Sequence, residues 1–552
     1  MPEITSNVGE LIAAYLEACG VTHAYGVISI HNMPILDAFG RRGKIRFVPA
    51  RGEAGSMNMA DAHARVAGGL GVCVTSTGTG AGNAAGGLVE ALTAGSPVLH
   101  LTGQIDSAHL DRARAFIHEF PAQPALLKAV SKAYFRVWTP EMALGVVAEA
   151  VRTALTPPMG PVSVEIPIDV QRSQITFDAD SFRALLPQPA PVEPAGIARL
   201  VARLKAAKRP LLWLGGGARG TERAVARLAA LGLPVMTSVN GRGVLPEDHP
   251  LSLGAYTQGP VTEAFLKTCD LLLAVGTRLR SNETKNYALP WPRPFCQIDI
   301  DAGQAGRAVA VDEFVCADAR TALTALADRL EAEGVGLDPA LGDDVAAMRR
   351  DAEAALRKQL GPYGELVSQL QAALPRDLRW VRDITISNST WGNRLLRIAD
   401  SRAGVHALGG GIGQGVPMAV GAALAANGAK TVCLTGDGGL TLCMTELATA
   451  AQENADVTFI VMNDKGYGVI RNIQDELYGK RHYYTDVTTT DHARLADLMG
   501  LRYWYAGTLA DFPAAIAAAV AHKGPALLEV DMTSIGPFAS SFAGPPTGKP
   551  AA

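Results

Sequence analysis

One pattern of hydrophobic and polar positions recurs along the chain. Short, continuous apolar runs bounded by glycine alternate with longer segments of helical periodicity. Runs that are apolar at consecutive positions predict strands buried on both faces, and their alternation with helix-length segments is typical of parallel sheets flanked by helices. The runs read GVCVTST, SPVLHLTG, PVSVEIP, RPLLWLGGG, DLLLAVGT, FCQIDID, KTVCLTGDG, VTFIVMND and PALLEVDM. The pattern therefore predicts an α/β protein.

Two segments of different composition divide these runs into three groups. Residues 186–196 are rich in proline, and residues 334–344 combine glycine, proline and aspartate, which is typical of solvated linkers. A chain of 552 residues is long enough to bury several cores. We expect three domains, at residues 1–185, 190–335 and 355–552, each with a parallel sheet flanked by helices.

The composition excludes several classes of protein. Apolar residues make up 48% of the chain, charged residues 19%, and the net charge is −3, which indicates a globular protein without the basic excess of nucleic-acid binders. The seven cysteines are odd in number and lack CxxC spacing, so neither a disulfide framework nor a zinc site is predicted. No apolar run approaches the ~18 residues that span a bilayer. Since the acidic, helical start does not resemble a secretory leader, we expect a cytoplasmic protein without nucleic-acid or membrane partners.

Four glycine-rich turns follow apolar runs, and ligands of α/β proteins bind beyond the carboxyl ends of strands. The turns read STGTGAGN, LGGGARG, ALGGGIGQG and LTGDGG. In the second, Gly215, Gly217 and Gly220 match the GxGxxG pattern of dinucleotide sites, but residues 233–243 after it carry no acid that could hold a ribose. We therefore interpret these glycines as a tight strand-to-helix turn rather than a nicotinamide site.

The LTGDGG turn is followed, after an apolar run, by a second polar turn, NDKGYG. Asp437 begins a predicted helix whose free N–H groups and positive dipole end would face an anion such as a diphosphate. Asp464 and the carbonyl of Gly466 would complete a set of oxygen ligands of the kind that Mg²⁺ prefers. Either turn alone could be an ordinary turn that uses Asp and Gly for its geometry. The pair predicts a site for a metal and an anion.

Together the two turns resemble the thiamine diphosphate binding motif, in which GDG is followed by a helix, a strand and an Asn-rich turn. The resemblance covers nearly the whole chain and is to the acetolactate synthase-like branch of thiamine diphosphate enzymes, with benzaldehyde lyase-like features. It rests on PARGEAGSMNMADAHARVAGGLGV, STGTGAGNAAGGLVEALTAGSPVLHLTGQ, GPVSVEIPIDVQ, GGGIGQGVPMAVGAALA and the GDG segment. It implies a pyrimidine-binding N-terminal domain, a Rossmann-like middle domain and a diphosphate-binding C-terminal domain, with thiamine diphosphate and Mg²⁺ as cofactors.

The resemblance places the catalytic carboxylate at Glu53, in ARGEAG. The family's glutamate bonds the aminopyrimidine ring of the cofactor and so promotes deprotonation of the thiazolium carbon. Taken alone, a glutamate after a strand is usually a solvated helix-capping residue. In the family the glutamate and the diphosphate site come from different subunits, so the resemblance implies a homodimer or homotetramer with the active site between subunits.

Further cofactor contacts are implied by the same motifs. Ile412 falls where the family places the apolar residue that wedges the cofactor into a V shape, although it could also be a plain buried isoleucine. The expected cofactor-binding residues are Gly80, Asn83, Gly410, Gly411, Ile412, Gly436, Asp437, Gly438, Gly439, Asn463, Tyr467 and Gly468, and the expected metal ligands are Asp437, Asp464 and Gly466.

The chain departs from the family's metal motif at one position. Asp464 stands where the family usually has the second asparagine of an Asn-Asn pair, and Asn463 precedes it. An extra negative charge beside a diphosphate weakens cofactor binding unless Mg²⁺ or a cation such as Lys465 offsets it.

Two histidines bear on the substrate. His31 lies where benzaldehyde lyase-like members carry an active-site histidine, and His118 replaces a glutamine of the acetolactate synthases. Lone histidines are more often core or surface residues. Their family positions predict that both are catalytic and move protons around a bound 2-oxo acid or alkoxide.

Two acetolactate synthase features are absent. The synthases' RFDDR segment reads RLRSN at residues 278–282, and the tryptophan of their VRQW segment is replaced by Ile473. We therefore do not expect FAD as a cofactor, and we do not expect true acetolactate synthesis.

The resulting hypothesis is a thiamine diphosphate-dependent lyase or carboligase that decarboxylates a 2-oxo acid. The enamine intermediate would then be protonated or would add to an aldehyde or ketone to form an acyloin. Two alternatives stay open. One is cleavage of a C–C bond in a 2-hydroxyacyl-CoA or a 1,2-diketone; the other is a non-catalytic paralogue, although such a protein would be expected to lose Glu53 or Asp437, and both are present.

Overall fold

The computed structural model describes residues 4–184, 186–338 and 340–542. Its strands form three six-stranded parallel sheets and one two-stranded antiparallel sheet. The large sheets come from successive parts of the chain, with helices between their strands, so the predicted α/β class is confirmed. The last ten residues of the predicted third domain, 543–552, lie outside the described residues. No helix in the described part is both long and apolar enough to cross a membrane.

The N-terminal sheet has the strand order β3-β2-β4-β5-β7-β6. Its central strands are buried at every position, as expected for runs that are apolar on both faces. The strands are β1 (Ile4–Asn7), β2 (His23–Gly26), β3 (Arg46–Pro49), β4 (Gly71–Thr75), β5 (Val98–Gln104), β6 (Ala133–Arg136), β7 (Val162–Pro167) and β8 (Gln174–Phe177), where β1 and β8 form the antiparallel pair. The helices are α1 (Val8–Ala18), α2 (Met33–Arg42), α3 (Glu53–Ala67), α4 (Thr79–Asn83), α5 (Ala85–Ala94), α6 (Gln123–Val130), α7 (Ala143–Leu155) and α8 (Ile168–Arg172).

The middle sheet has the order β11-β10-β9-β12-β13-β14. Numbered within the sheet this is 3-2-1-4-5-6, the order of the Rossmann fold. Its strands are β9 (Pro210–Leu214), β10 (Val235–Thr237), β11 (Ser252–Gly254), β12 (Leu271–Val275), β13 (Phe295–Asp299) and β14 (Glu313–Cys316), and its helices are α9 (Pro194–Ala206), α10 (Glu222–Ala230), α11 (Pro260–Leu266) and α12 (Ala319–Ala332).

The C-terminal sheet has the order β16-β15-β17-β18-β20-β19. Numbered within each sheet, this order and that of the N-terminal sheet are the same, 2-1-3-4-6-5. The strands are β15 (Arg379–Arg382), β16 (Gly404–His406), β17 (Thr431–Gly436), β18 (Val457–Asn463), β19 (Arg502–Ala506) and β20 (Ala526–Asp531). The helices are α13 (Ala340–Leu360), α14 (Pro362–Ala373), α15 (Gly415–Ala425), α16 (Asp437–Cys443), α17 (Glu446–Gln452), α18 (Gly468–Leu477), α19 (His492–Met499), α20 (Phe512–Ala521) and α21 (Met532–Ile535).

The expected linker at residues 334–344 is partly wrong, because its second half is the start of α13. Leu341 and Val345 are buried, and Val345 packs in the apolar core of the middle sheet. Asp343 in the first turn favours a helix start, since acidic side chains stabilise the positive end of the helix dipole. Apolar contacts with another element, which composition does not reveal, therefore continue the helix into the segment.

The glycines of LGGGARG form a tight turn after β9. A Cβ added at Gly215 would lie 2.2 Å from the carbonyl oxygen of Gly276, and one at Gly217 would lie 2.9 Å from the Cα of Gly276. Side chains at these positions would therefore collide with the backbone of the loop after β12. The turn also lines a cavity of about 660 Å³ in which residues of all three regions meet.

Two arginines that line this cavity donate hydrogen bonds from the middle region to the other two regions. The Arg278 guanidinium donates to the Thr93 carbonyl at 3.0 Å, and Arg280 donates to the carbonyl of Leu408. The middle sheet is thereby attached to both outer regions by hydrogen bonds from neighbouring positions of one loop.

The N- and C-terminal regions share one hydrophobic core, which is centred on helices α3 and α15. Met57 and Met59 of α3 lie in the same buried cluster as Val416 and Val420 of α15. A Cβ added at Gly421 of α15 would lie only 2.2 Å from the Met59 carbonyl oxygen. The two helices therefore approach each other so closely that only glycine fits at this crossing.

We expect Gly421→Ala to lower the free energy of unfolding by roughly 1–3 kcal/mol, because the added methyl group must push apart two packed helix backbones. Scanning calorimetry would measure this as a lower thermal midpoint. Gly145→Ala on α7 is the matched control, since no atom beyond the adjoining backbone of its own helix lies within 4 Å of the added Cβ and alanine favours the helix. Equal midpoints for the two variants would contradict the close contact.

Candidate active site

The structure brings Glu53, Gly80 and Asn83 together at the carboxyl edge of the N-terminal sheet. Glu53 is the first residue of α3 and is half-buried. The Asn83 side-chain amide donates to Glu53 Oε2 at 3.1 Å, and a Cβ added at Gly80 would lie 3.1 Å from Glu53 Oε1. The carboxylate therefore lies directly against the glycine-rich turn after β4.

His31 and His118 form a pair beside the same turn. Their ring centroids are 5.1 Å apart. Burial, and secondarily the nearby His118, lower the pKa of His31, so its imidazole is neutral near pH 7. A Cβ added at Gly103 of β5 would lie 2.1 Å from the His31 carbonyl oxygen, and one at Gly78 would lie 2.9 Å from the His118 carbonyl oxygen. Glycines thus let the His31 backbone approach β5 and the His118 backbone approach the turn after β4.

Gln123 is hydrogen-bonded to this turn and was not anticipated from the sequence. Its side chain is fully buried, and its Oε1 accepts from the Gly78 N–H at 2.7 Å and from the Thr77 hydroxyl at 3.1 Å. Its Nε2 has no hydrogen-bond partner among the described residues. A glutamine at the start of a helix carries no motif that would have revealed this role.

The second group of predicted residues surrounds Asp437, where β17 ends at Gly436 and α16 begins. Asp437 is buried, and its Oδ2 accepts from the Gly466 N–H at 2.9 Å. A Cβ added at Gly438 would lie 2.6 Å from the Tyr467 ring. The GDG turn and the NDKGYG turn are therefore in direct contact, as their positions after neighbouring strands imply.

Asp464 shares this site with Asp437. Burial, and secondarily the negative charge of Asp437, raise the pKa of Asp464 to about 7. A Cβ added at Gly468 would lie 1.8 Å from Asp464 Oδ2, so only glycine leaves room for the carboxylate. Arg471, rather than the anticipated Lys465, is the cation whose charge lowers the pKa of Asp464. The result is a close pair of carboxyl groups, of which one is largely protonated below pH 7.

Ile412 lies on a loop that a buried aspartate fixes. The side chain of Ile412 is 40% exposed, and Gly410 and Gly413 beside it have φ of +83° and +79°, which favour glycine. The Gly413 N–H donates to both carboxylate oxygens of Asp383 at 3.1 Å. A Cβ added at Gly439 would lie 2.8 Å from Asp383 Oδ2. Asp383 therefore connects the Ile412 loop to the GDGG helix.

Asp383 was missed because its pattern, an aspartate after a strand, is common. In the fold Asp383 directly follows β15, the neighbour of β17 in the C-terminal sheet, and sheet formation therefore brings it beside the GDGG turn. Burial raises the pKa of Asp383 to about 6. Four backbone N–H groups favour its charged form, of which that of Ile384 is the nearest at 2.7 Å.

Comparison with known proteins identifies the family to which this geometry belongs. Three family models match in order: the N-terminal TPP binding domain of thiamine pyrophosphate enzymes at residues 6–126, their central domain at 197–326 and their C-terminal TPP binding domain at 385–530. The chain belongs to the thiamine pyrophosphate enzyme family. Thiamine pyrophosphate is the same compound as thiamine diphosphate.

Relatives of this thiamine pyrophosphate enzyme span nearly its whole length. A probable 2-ketoarginine decarboxylase of Pseudomonas aeruginosa is 31% identical over 474 residues, which are 85% of this chain and 84% of that protein. An acetolactate synthase of Arthrospira platensis is 29% identical over 547 residues, 93% of this chain and 92% of that protein. A glyoxylate carboligase of Escherichia coli O157:H7 is 28% identical over 520 residues, 88% and 86% of the two chains. These names support the acetolactate synthase-like branch.

The donor set of this thiamine pyrophosphate enzyme fits a magnesium diphosphate. The carboxyl groups of the buried Asp437 and the half-buried Asp464 face each other, an arrangement that a divalent cation would stabilise. No group of three or more His, Cys, Asp or Glu side chains suited to a metal occurs within the described ranges. The remaining ligands would therefore be oxygens of the backbone, water or the diphosphate, which suits Mg²⁺.

Asn463 is held differently from the other residues expected to bind the cofactor. Its side-chain amide donates to Glu529 Oε1 of β20 at 2.7 Å, and its Oδ1 accepts from the Lys465 N–H at 3.1 Å. The side chain therefore ties the end of β18 to the neighbouring strand and braces the turn that carries Asp464.

The two groups of predicted site residues belong to different regions of this thiamine pyrophosphate enzyme, one at the start of α3 and the other at the start of α16. No hydrogen bond or ion pair in the described part of the chain joins the Glu53 group to the Asp437 group. Large apolar side chains are exposed beside each group: Ile28, Ile30, Ile117 and Phe120 near the histidines, and Ile412, Leu442 and Ile470 near the carboxylates. Each group therefore has exposed apolar surface beside it.

We expect the affinity for Mg²⁺, measured by calorimetry with thiamine diphosphate present, to fall as the pH drops below about 7. The raised pKa of Asp464 means that a bound proton must leave before the metal binds, so the affinity falls by up to about tenfold per pH unit. Asp464→Asn is the control, because an amide has no such proton to lose. If the Mg²⁺ affinity of the wild-type protein changed with pH no more than that of Asp464→Asn, the close pairing of the two carboxyl groups would be contradicted.

Proposed function

We propose that the chain is a thiamine diphosphate- and Mg²⁺-dependent lyase or carboligase that decarboxylates 2-oxo acids. The product is then protonated or joined to an aldehyde or ketone. The observation that carries this proposal is the contact of Glu53 with the turn of Gly80 and Asn83, beside a histidine pair. The names of three relatives, a probable decarboxylase, an acetolactate synthase and a carboligase, support the reaction class.

The bound cofactor supplies an electron sink that accepts the electron pair of the breaking C–C bond. The chain's own residues bind and orient it. Asp437, Asp464 and the Gly466 carbonyl would hold Mg²⁺, and the Gly438 and Gly439 backbone would face the diphosphate. Ile412, which projects from a loop fixed by Asp383, would press on the middle of the cofactor.

Glu53 and the two histidines would bind and transfer protons during the reaction. The Glu53 carboxyl, oriented by the Asn83 amide, would bond the aminopyrimidine ring. His31 is neutral near pH 7 and can therefore both donate and accept a proton at the substrate oxygen. His118 is exposed and adjoins His31, so it can exchange that proton with solvent.

The active site would form between two subunits, with Glu53 from one and Asp437 from the other. Within one chain the two half-sites are not joined, and each lies beside exposed apolar side chains such as Ile117 and Ile412. Burial of these side chains against a second copy would remove apolar surface from water and complete the site.

Carbon dioxide release from pyruvate and other 2-oxo acids, with thiamine diphosphate and Mg²⁺ supplied, tests the reaction. We expect Glu53→Gln to reduce release by at least about 100-fold, because a positioned acid–base group is lost. Glu141→Gln, an exposed glutamate of the same region, is the control. Absence of release despite bound cofactor would favour cleavage of a 2-hydroxyacyl-CoA or a 1,2-diketone instead. Absence of Mg²⁺-dependent cofactor binding would favour a non-catalytic paralogue.

Mixed dimers test the shared site. We expect Glu53→Gln and Asp437→Asn chains, each inactive alone, to recover about half of the wild-type activity in a purified mixed dimer, since one of its two sites is intact. A double variant Glu53→Gln/Asp437→Asn paired with wild type is the control and should have no intact site. The opposite pattern would place both half-sites in one chain.

A further inference from the structure

Glu446, which no cofactor motif includes, reaches from the C-terminal region to the start of the helix that carries Glu53. It is the first residue of α17, its side chain is only 3% exposed, and its two carboxylate oxygens accept from the Arg51 N–H at 3.1 and 3.2 Å. The Gly52 N–H also bonds this carboxylate, and the Thr449 hydroxyl donates to it at 2.6 Å. The peptide groups just before Glu53 are therefore bonded to a distant part of the chain.

The start of α3 lacks a local cap. Its N-cap residue is Gly52, which has no side chain that could accept from the free N–H groups of the first turn. The Glu446 carboxylate, from another region, accepts instead from the N–H groups of the two residues just before the helix. Since Glu53 is the first residue of the helix, the bonds at Arg51 and Gly52 fix the direction in which its side chain leaves the backbone.

The Glu446 carboxylate lies so close to α3 that only glycine fits at position 55. A Cβ added at Gly55 would lie 2.2 Å from Oε1 and 2.7 Å from Cδ of Glu446. The carboxylate thus packs directly on the first turn of α3. The Arg51 guanidinium points elsewhere, to the Pro49 carbonyl at 2.8 Å and Gln452 at 2.8 Å, so Glu446 bonds the backbone before Glu53 rather than the Arg51 head group.

We propose that Glu446 is a positioning residue for Glu53: its carboxylate fixes the first turn of α3 so that the Glu53 carboxyl meets the aminopyrimidine of the cofactor. The proposal rests on the proposed function. Under this proposal the C-terminal region of one chain serves two active sites. Through Glu446 it positions the Glu53 of its own chain, and through its diphosphate-binding residues it contributes to a second site, which it forms with the partner.

Exchange of the thiazolium C2 proton of bound thiamine diphosphate, measured by quenched-flow NMR, tests the proposal without substrate. We expect Glu446→Gln to slow this C2 proton exchange by about tenfold or more. In the cofactor-free protein, we expect the same variant to have faster amide hydrogen exchange at residues 51–55 than wild type. Gly55→Ala is a second variant, which displaces the carboxylate but keeps every charge, and it should act in the same direction. Both variants are compared at equal cofactor saturation.

Glu453→Gln is the matched control. Glu453 lies at the end of the same helix, is similarly buried and forms an ion pair with Arg46, so it also joins the two regions without contacting the start of α3. Wild-type C2 exchange in Glu446→Gln, or equally slow exchange in Glu453→Gln, would overturn the proposal, because the contact would then be unnecessary or merely structural.

Mixed dimers separate this proposal from the proposed function. One chain carries Asp437→Asn, which leaves a single working site that uses the Glu53 of that chain and the Asp437 of its partner. Glu446→Gln should slow this site only when it is placed in the chain with Asp437→Asn. An equal effect from both chains, or none from either, would overturn the positioning role. An effect only from the chain without Asp437→Asn would instead refute the shared site, because that chain would then hold a complete site of its own.

Discussion

The contact between α3 and α15 is the constraint on which the rest of the structure depends. The two helices cross so closely that Gly421 meets the Met59 backbone, and around them the N- and C-terminal regions bury a single apolar core. Burial of a continuous apolar surface is the main favourable term in such a contact. It fixes the two outer sheets relative to each other and thereby determines which edges of these sheets stay free.

Glu90 and Arg65 form a hydrogen-bonded polar group that crosses this core. Glu90 accepts from the Leu408 and Gly409 N–H groups and from Arg65, and Arg65 also donates to the His406 carbonyl. A buried charge is costly unless it is paired or hydrogen-bonded, so such groups fix the register of the interface. Glu90 holds the backbone just before the Ile412 loop, much as Glu446 holds the backbone just before Glu53. Each outer region therefore braces a segment of the other that carries a predicted site residue.

The residues that could be inferred from the sequence are those whose chemistry is local. Asp437 and Asp464 each follow an apolar run directly, and two neighbouring parallel strands bring their turns into contact. The residues that were missed act across long separations on backbone N–H groups: Glu446 and Arg51 are 395 positions apart, and Asp383 and Gly413 are 30 apart. Any N–H group can serve as a donor, so no residue pattern marks such pairs. Asn463 illustrates the opposite case, since a local motif indicated the cofactor but sheet order brought its amide to Glu529.

By itself the sequence determined the α/β class, the strands of three parallel sheets and the family, because consecutive apolar positions and glycine turns are local consequences of burial and backbone geometry. The domain limits drawn from composition remain predictions, and α13 shows how apolar packing extends a helix into an expected linker. Only the tertiary structure decided which carboxylates surround the half-sites, because strands that are distant in sequence become neighbours when a sheet forms. It also decided that α3 packs on α15, because burial of their apolar faces joins regions that are distant in sequence.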